Sequence, residues 1–202
     1  MARQDDSVAT VLAGLLIRIG AIKFGEFVLS SGARSPIYVD LRIVPSFPDV
    51  FRRVLAMLSG LVASEAGDAE TIVGVATGGL PWATGVALSL GLPLAYVRSE
   101  KKGYGTGRRV EGVVRGCSVI VDDVATTGSS LASAAEAVRE AGGRPCYAVV
   151  VVDRGQGAGE RLSGLGVRLL RLATLREVLE AAGEEGLVER ETVLRVIREL
   201  YG

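Results

Sequence analysis

From Thr71 onward, short apolar runs alternate with helical stretches, and this alternation constrains the chain more than any other feature of its sequence. The runs cover residues 72–76, 94–97, 119–121, 147–152 and 167–170. Each is continuously apolar rather than alternating, so each predicts a short strand buried on both faces. Such strands separated by helices build a parallel sheet with helices on either side. Before them, residues 7–19 predict a helix capped by Ser7, and 48–63 a second helix with one apolar face. Residues 24–32 and 35–40 predict two short strands, with Pro36 at an edge or a strand start because it cannot donate to a ladder. Two helices, over 174–182 and 189–200, close the chain. The expectation is one α/β domain over 1–202, a sheet of about five parallel strands with a small hood drawn largely from 1–45 and a core from about 46 onward.

Composition then removes whole classes of function. Lys plus Arg and Asp plus Glu both number 23, so the net charge is zero and a general nucleic-acid surface is not expected. There is no histidine, which excludes a Ser-His-Asp triad, a Cys-His pair and any zinc site needing imidazole. Magnesium, which takes oxygen ligands, remains open. Cys117 and Cys146 sit in apolar runs without metal or redox spacing and read as two buried thiols. The apolar stretch near the N-terminus is too short to cross a bilayer and is broken by Arg18, so no membrane role and a cytoplasmic location are expected.

Chemistry concentrates in residues 119–130. An apolar run meets two adjacent acids, Asp122 and Asp123, and Val124, Ala125, Thr126, Thr127, Gly128, Ser129 and Ser130 follow as a small-residue turn entering a helix. Ligands of open α/β sheets bind beyond the carboxyl ends of the strands. A turn of small residues at a helix start directs backbone N–H groups and the positive end of the dipole outward, which suits a phosphate. Two carboxylates would repel that phosphate, but they suit sugar hydroxyls or a Mg²⁺ ion and its waters. A phosphorylated ribose has both needs. The plainer reading, acids that only cap the helix, is weak because two tandem buried acids are costly without a partner.

A second basic feature is local. Residues 98–115 hold six basic side chains (at 98, 101, 102, 108, 109 and 115) against two acids, and four glycines loosen the segment. Of the chain's three lysines, two are Lys101 and Lys102. This pattern predicts a mobile lid for an anionic ligand. Arg154, after the run at 147–152, can clamp a carboxylate with two parallel hydrogen bonds.

The 119–130 block resembles the phosphoribosyl pyrophosphate motif of the type I phosphoribosyltransferases. Residues 24–40, the turn at 74–81, the basic segment and the Asp153-Arg154 pair narrow the resemblance to the orotate phosphoribosyltransferases. It spans about 24–154 and departs in four places. Tyr104 stands where a histidine is common, and Ser99, Ser30 and Gly78 stand where bacterial members often carry lysine.

The resemblance implies the type I fold, a Mg²⁺-dependent transfer of phosphoribosyl to orotate in UMP biosynthesis, and a homodimer with shared sites. It implies that Lys102, Asp122 and Asp123 are catalytic. Arg98, Lys102, Tyr104 and residues 122–130 would bind phosphoribosyl pyrophosphate; Thr126, Arg154 and Tyr38 would bind orotate. Asp122 and Asp123 would hold Mg²⁺ through water. Two rivals use the same scaffold: a purine phosphoribosyltransferase, which has no need of Arg154, and a non-catalytic regulator that senses nucleotides.

Overall fold

The computed structural model describes residues 7–28, 34–98 and 109–202. They divide into two compact units, one of 1–52 with 173–202 and one of 53–172.

In the first unit, helix α1 (Val8–Arg18) starts at Ser7, whose Oγ accepts from the Thr10 amide at 3.1 Å as the sequence predicts. Strands β1 (Ile22–Val28) and β2 (Arg34–Val39) pair antiparallel, and the predicted turn at Ser30 lies outside the described residues. A short 3-10 stretch (Leu41–Ser46), not foreseen from the sequence, follows Asp40. Helix α2 (Pro48–Glu65) begins here and runs into the second unit. Helix α6 (Leu175–Glu184) opens with a full capping box between Thr174 and Glu177. It packs on α1 and on the last helix, α7 (Arg190–Tyr201), which also touches β2.

The second unit carries a six-stranded sheet. Its strands are β3 (Thr71–Val75), β4 (Leu94–Val97), β5 (Val110–Glu111), β6 (Cys117–Ala125), β7 (Arg144–Asp153) and β8 (Arg168–Thr174), in the order β5-β4-β3-β6-β7-β8. β4, β3, β6 and β7 run parallel, while the two-residue β5 lies antiparallel on the edge. The sheet is mostly parallel, as the apolar runs required.

Alternation along β3 shows what covers each face. Val73 and Val75 join a buried cluster with Leu131, Ala134 and Val138 of helix α4 (Ser129–Glu140). Gly74 points the other way, where a β-carbon would stand 2.9 Å from Ala83 of helix α3 (Leu80–Leu90). α3 and α4 therefore cover opposite faces. Helix α5 (Ala158–Ser163), which the sequence analysis did not anticipate, follows β7 and packs on α4.

Two expectations are corrected. β6 does not end at the acids; it runs through Asp122 and Asp123 to Ala125, because β7 pairs with it as far as Asp153. The cysteines are not two separate buried thiols. Cys117 and Cys146 form a disulfide with Cα atoms 5.6 Å apart, and Cys146 is only half buried. Ser118 pairs with Pro145 and Val119 with Tyr147, so Cys146 is the extra residue of a bulge. A bulge re-aims a side chain, here toward Cys117.

Candidate active site

The candidate site lies at the carboxyl ends of the parallel strands in the second unit. Asp122 and Asp123 lie near the carboxyl end of β6, and their hydrogen bonds are local. Oδ1 of Asp122 accepts from the Asp123 amide at 2.9 Å, and Oδ1 of Asp123 accepts from the Val124 amide at 2.8 Å. Neither caps α4, so the plain capping reading fails. Asp122 is only 8% exposed. Burial first, and then the charge of Asp123, pushes its carboxyl up to about 8.

The turn after β6 meets the sequence expectation. α4 starts from Gly128, which is left-handed at φ 72°, and no side chain caps the helix. Its first-turn amides have no side-chain acceptor, and no acid sits in that turn. Thr127 Oγ1 and Ser129 Oγ lie 3.2 Å apart across the turn. Glycine is needed at 128 for a second reason. A β-carbon there would stand 2.9 Å from the Ala158 Cα, where α5 begins. α5 thus closes one side of this turn, and the sequence signal for it was the pair of glycines at 155 and 157, both left-handed.

β7 delivers Asp153 and Arg154 beside this turn. The Arg154 amide donates to the Ala125 carbonyl at 2.9 Å, which ties the two strand ends together. Asp153, 6% exposed, accepts from the Gly155 amide at 2.9 Å and has Arg171 3.7 Å away. The sequence analysis missed this anchoring role of Asp153. The turn after β3, where the Ala76–Thr77 peptide is cis, packs onto the acids through Gly78 and Gly79. At the end of β4, Arg98 pairs with Glu111 at 3.5 Å and its amide donates to the Arg109 carbonyl at 2.9 Å. Arg109 in turn reaches α4, a link also missed because it joins residues 24 apart in the chain.

The site thus brings together Arg98, Asp122, Asp123, the turn from Val124 to Ser130 and Arg154. Lys102 and Tyr104 lie outside the described residues. Tyr38 belongs to the first unit, where its ring packs 5.6 Å from Phe27 and its hydroxyl accepts from Arg42 at 3.1 Å.

The residues suit a hard cation. A carboxyl raised by burial and then by its neighbour's charge is relieved by a dication, and the donors are oxygens, as Mg²⁺ prefers. The three-ligand cluster found among the described residues, Asp68 with Cys117 and Cys146, lies at the far end of β6, and its sulfurs are bonded to each other. No helix among the described residues is long and apolar enough to cross a membrane.

Comparisons with known proteins agree with this geometry. The phosphoribosyl transferase domain model matches residues 47–165. The orotate phosphoribosyltransferase of Aeropyrum pernix is 46% identical over 90% of this chain and 98% of its own length. That of Methanopyrus kandleri is 45% identical over 91% and 96%. The crystal structure of orotate phosphoribosyltransferase from Aeropyrum pernix superposes with a TM-score of 0.80, covering 86% of this chain and 98% of that one.

Proposed function

The chain belongs to the orotate phosphoribosyltransferase family, and from that premise we infer that it transfers the phosphoribosyl group of 5-phosphoribosyl 1-diphosphate to orotate. The products are orotidine 5′-phosphate, on the way to UMP, and pyrophosphate. The observation that carries this reading is the junction of β6 and α4, where two adjacent acids, Asp122 buried and Asp123 half-buried, meet a helix start that no side chain caps.

The chemistry is a displacement at the anomeric carbon. The bond from that carbon to the diphosphate oxygen breaks as a ring nitrogen of orotate bonds to the carbon, through an oxocarbenium-like state. The orotate nitrogen is acidic enough to need no strong protein base. The protein must hold the reactants together and meet the charge on the departing pyrophosphate. Asp122 and Asp123 accept hydrogen bonds from the ribose hydroxyls. The backbone and hydroxyls from Val124 to Ser130 hold the 5′-phosphate. Arg98 and Lys102, with Tyr104, meet the pyrophosphate. Arg154 clamps the orotate carboxylate, with Thr126 on the ring. Asp122 and Asp123 would hold a Mg²⁺ ion through water, and the ion would supply countercharge to the diphosphate. The roles of Lys102, Tyr104 and Tyr38 rest on the family pattern alone.

We extend the reading to a homodimer with shared sites. Leu94 and Tyr96 are exposed on one face of β4, while Ala95 and Val97 are buried on the other. Leu88 of α3, the helix that covers the same face as Leu94 and Tyr96, is 79% exposed. Exposed apolar side chains near a sheet edge suit contact with a second copy.

The test is product identity. Incubation with Mg²⁺, orotate and phosphoribosyl pyrophosphate should yield orotidine 5′-phosphate and pyrophosphate in equal amounts by mass spectrometry, and a chelator should stop both. Pyrophosphate release without the nucleotide would contradict the reading.

A further inference from the structure

Three serines share one face of α4: Ser133 follows Ser130 by three residues and Ser129 by four. They line a cavity of about 290 Å³ together with Ala76, Arg98 and Arg109. Arg109 is fixed at both ends. Its carbonyl accepts from the Arg98 amide at 2.9 Å, so its backbone is zipped to the end of β4. Its Nη1 donates to Ser133 Oγ at 2.9 Å and to the Ser133 carbonyl at 3.3 Å, so its charge is held on the second turn of α4.

That placement adds positive charge beside the first turns of α4. The start of a helix carries positive potential, and a cation nearby opposes it. No acid in the first turn of α4 offsets Arg109. Arg98 has Glu111, but among the described residues no carboxylate pairs with Arg109. A guanidinium cannot shed its charge to escape. A phosphate ester at residues 126–130 would meet this charge from Arg109.

We propose that Arg109 is a positioning residue of the phosphate cradle: fastened to Ser133, it fixes the first turns of α4 and adds the charge that favours a phosphorylated ribose there. It acts through the helix and need not touch the ligand. This rests on the reading of 126–130 as the 5′-phosphate site. It adds a residue that the acid-and-turn motif does not contain.

The probe is ribose 5-phosphate, which carries the 5′-phosphate and no diphosphate. Its affinity is measured by calorimetry on the full chain at two ionic strengths. Arg109→Gln should weaken it about tenfold, the equivalent of one charge-assisted contact. The remaining affinity should respond less to salt than that of the parent protein. Arg109→Lys, which keeps the charge but loses the fork, should recover much of the loss. Ser133→Ala, which removes one of the two acceptor atoms, should cost about threefold. The KM for orotate should stay unchanged throughout, and the Tm of Arg109→Gln should stay within about 3 °C of the parent.

Parent-like affinity in folded Arg109→Gln would overturn the proposal while leaving the cradle intact. Equal losses for ribose 5-phosphate and orotate, with a fallen Tm, would reduce Arg109 to a structural bolt and overturn it too. If the parent protein itself fails to bind ribose 5-phosphate, the cradle reading falls and Arg109's role with it. Should Arg109→Gln not fold, Arg109→Lys and Ser133→Ala decide: parent-like affinity and salt response in both would reject the proposal.

Discussion

Gly78 lies directly against the carboxylate of Asp123: a β-carbon at 78 would stand 2.7 Å from Oδ2 and 2.9 Å from Oδ1. The next residue is tighter against backbone. A β-carbon at Gly79 would stand 2.3 Å from the Val121 carbonyl oxygen and 2.9 Å from the Asp122 Cα. The turn after β3 therefore packs onto the acid pair with no room for side chains. This chain uses the space at 78 for the acid.

The two glycines should fail differently when changed to alanine. The clash at 78 is with the end of a side chain, which can rotate away, so Gly78→Ala should keep its Tm and weaken phosphoribosyl pyrophosphate binding. The clash at 79 is with main chain, so Gly79→Ala should lose about 1–3 kcal/mol of stability, the usual cost of overpacking. Thermal melts beside ligand titrations check both; a Gly78→Ala protein with parent affinity would show that Asp123 tolerates displacement.

Asp122 makes the ligand-free protein pH-sensitive. Its folded carboxyl is raised to about 8, against about 4 when unfolded. The folded state then holds a proton that the unfolded chain has released. The stabilisation this gives is fully present below about pH 4 and is lost as the pH rises through about 8. Asp122→Asn carries no such proton. Its Tm should overtake that of the parent as pH rises from 5 to 8, by at least about 2–4 °C for each kcal/mol in a chain of this size. Parallel Tm–pH curves for the two proteins would contradict the burial argument.

Arg154 offers a ligand-specific test. Arg154→Ala should weaken orotate binding by about 1.5–3 kcal/mol, the value of a hydrogen bond to a charged group. Affinity for phosphoribosyl pyrophosphate should barely move. Calorimetry with each ligand checks this, and equal losses would place Arg154 in the scaffold instead.

The homodimer with shared sites that we propose predicts complementation. Lys102→Ala and Asp123→Asn homodimers should each be nearly inactive, the first in kcat and the second in ribose and Mg²⁺ binding. Mixed under conditions of subunit exchange, they should recover activity, because one site of each heterodimer combines an intact acid pair with an intact Lys102. No recovery despite proven exchange, or a monomer by sedimentation, would reject the shared site.

Much of this was legible because it is local. The run at 94–97 became β4 with the same bounds, and the turn into α4 followed from small residues and one glycine. What stayed hidden depends on distant partners. β6 continues through its acids because β7 pairs with them, which the apolar run alone does not reveal. Cys146 turns toward Cys117 only through a register shift between strands. α5 is six residues long, too short for a periodic signal, yet it closes one side of the turn at Gly128. Arg109 was counted among the loop cations; its bond to Ser133 crosses 24 residues.

The most direct measurement is a base competition. With Mg²⁺ and saturating phosphoribosyl pyrophosphate, kcat/KM is determined for orotate, adenine and hypoxanthine on the same preparation. The account predicts turnover of orotate and a preference over either purine of at least about a hundredfold, since a site built around a charged clamp rejects ligands that leave it unpaired. Turnover of a purine with no turnover of orotate would contradict it.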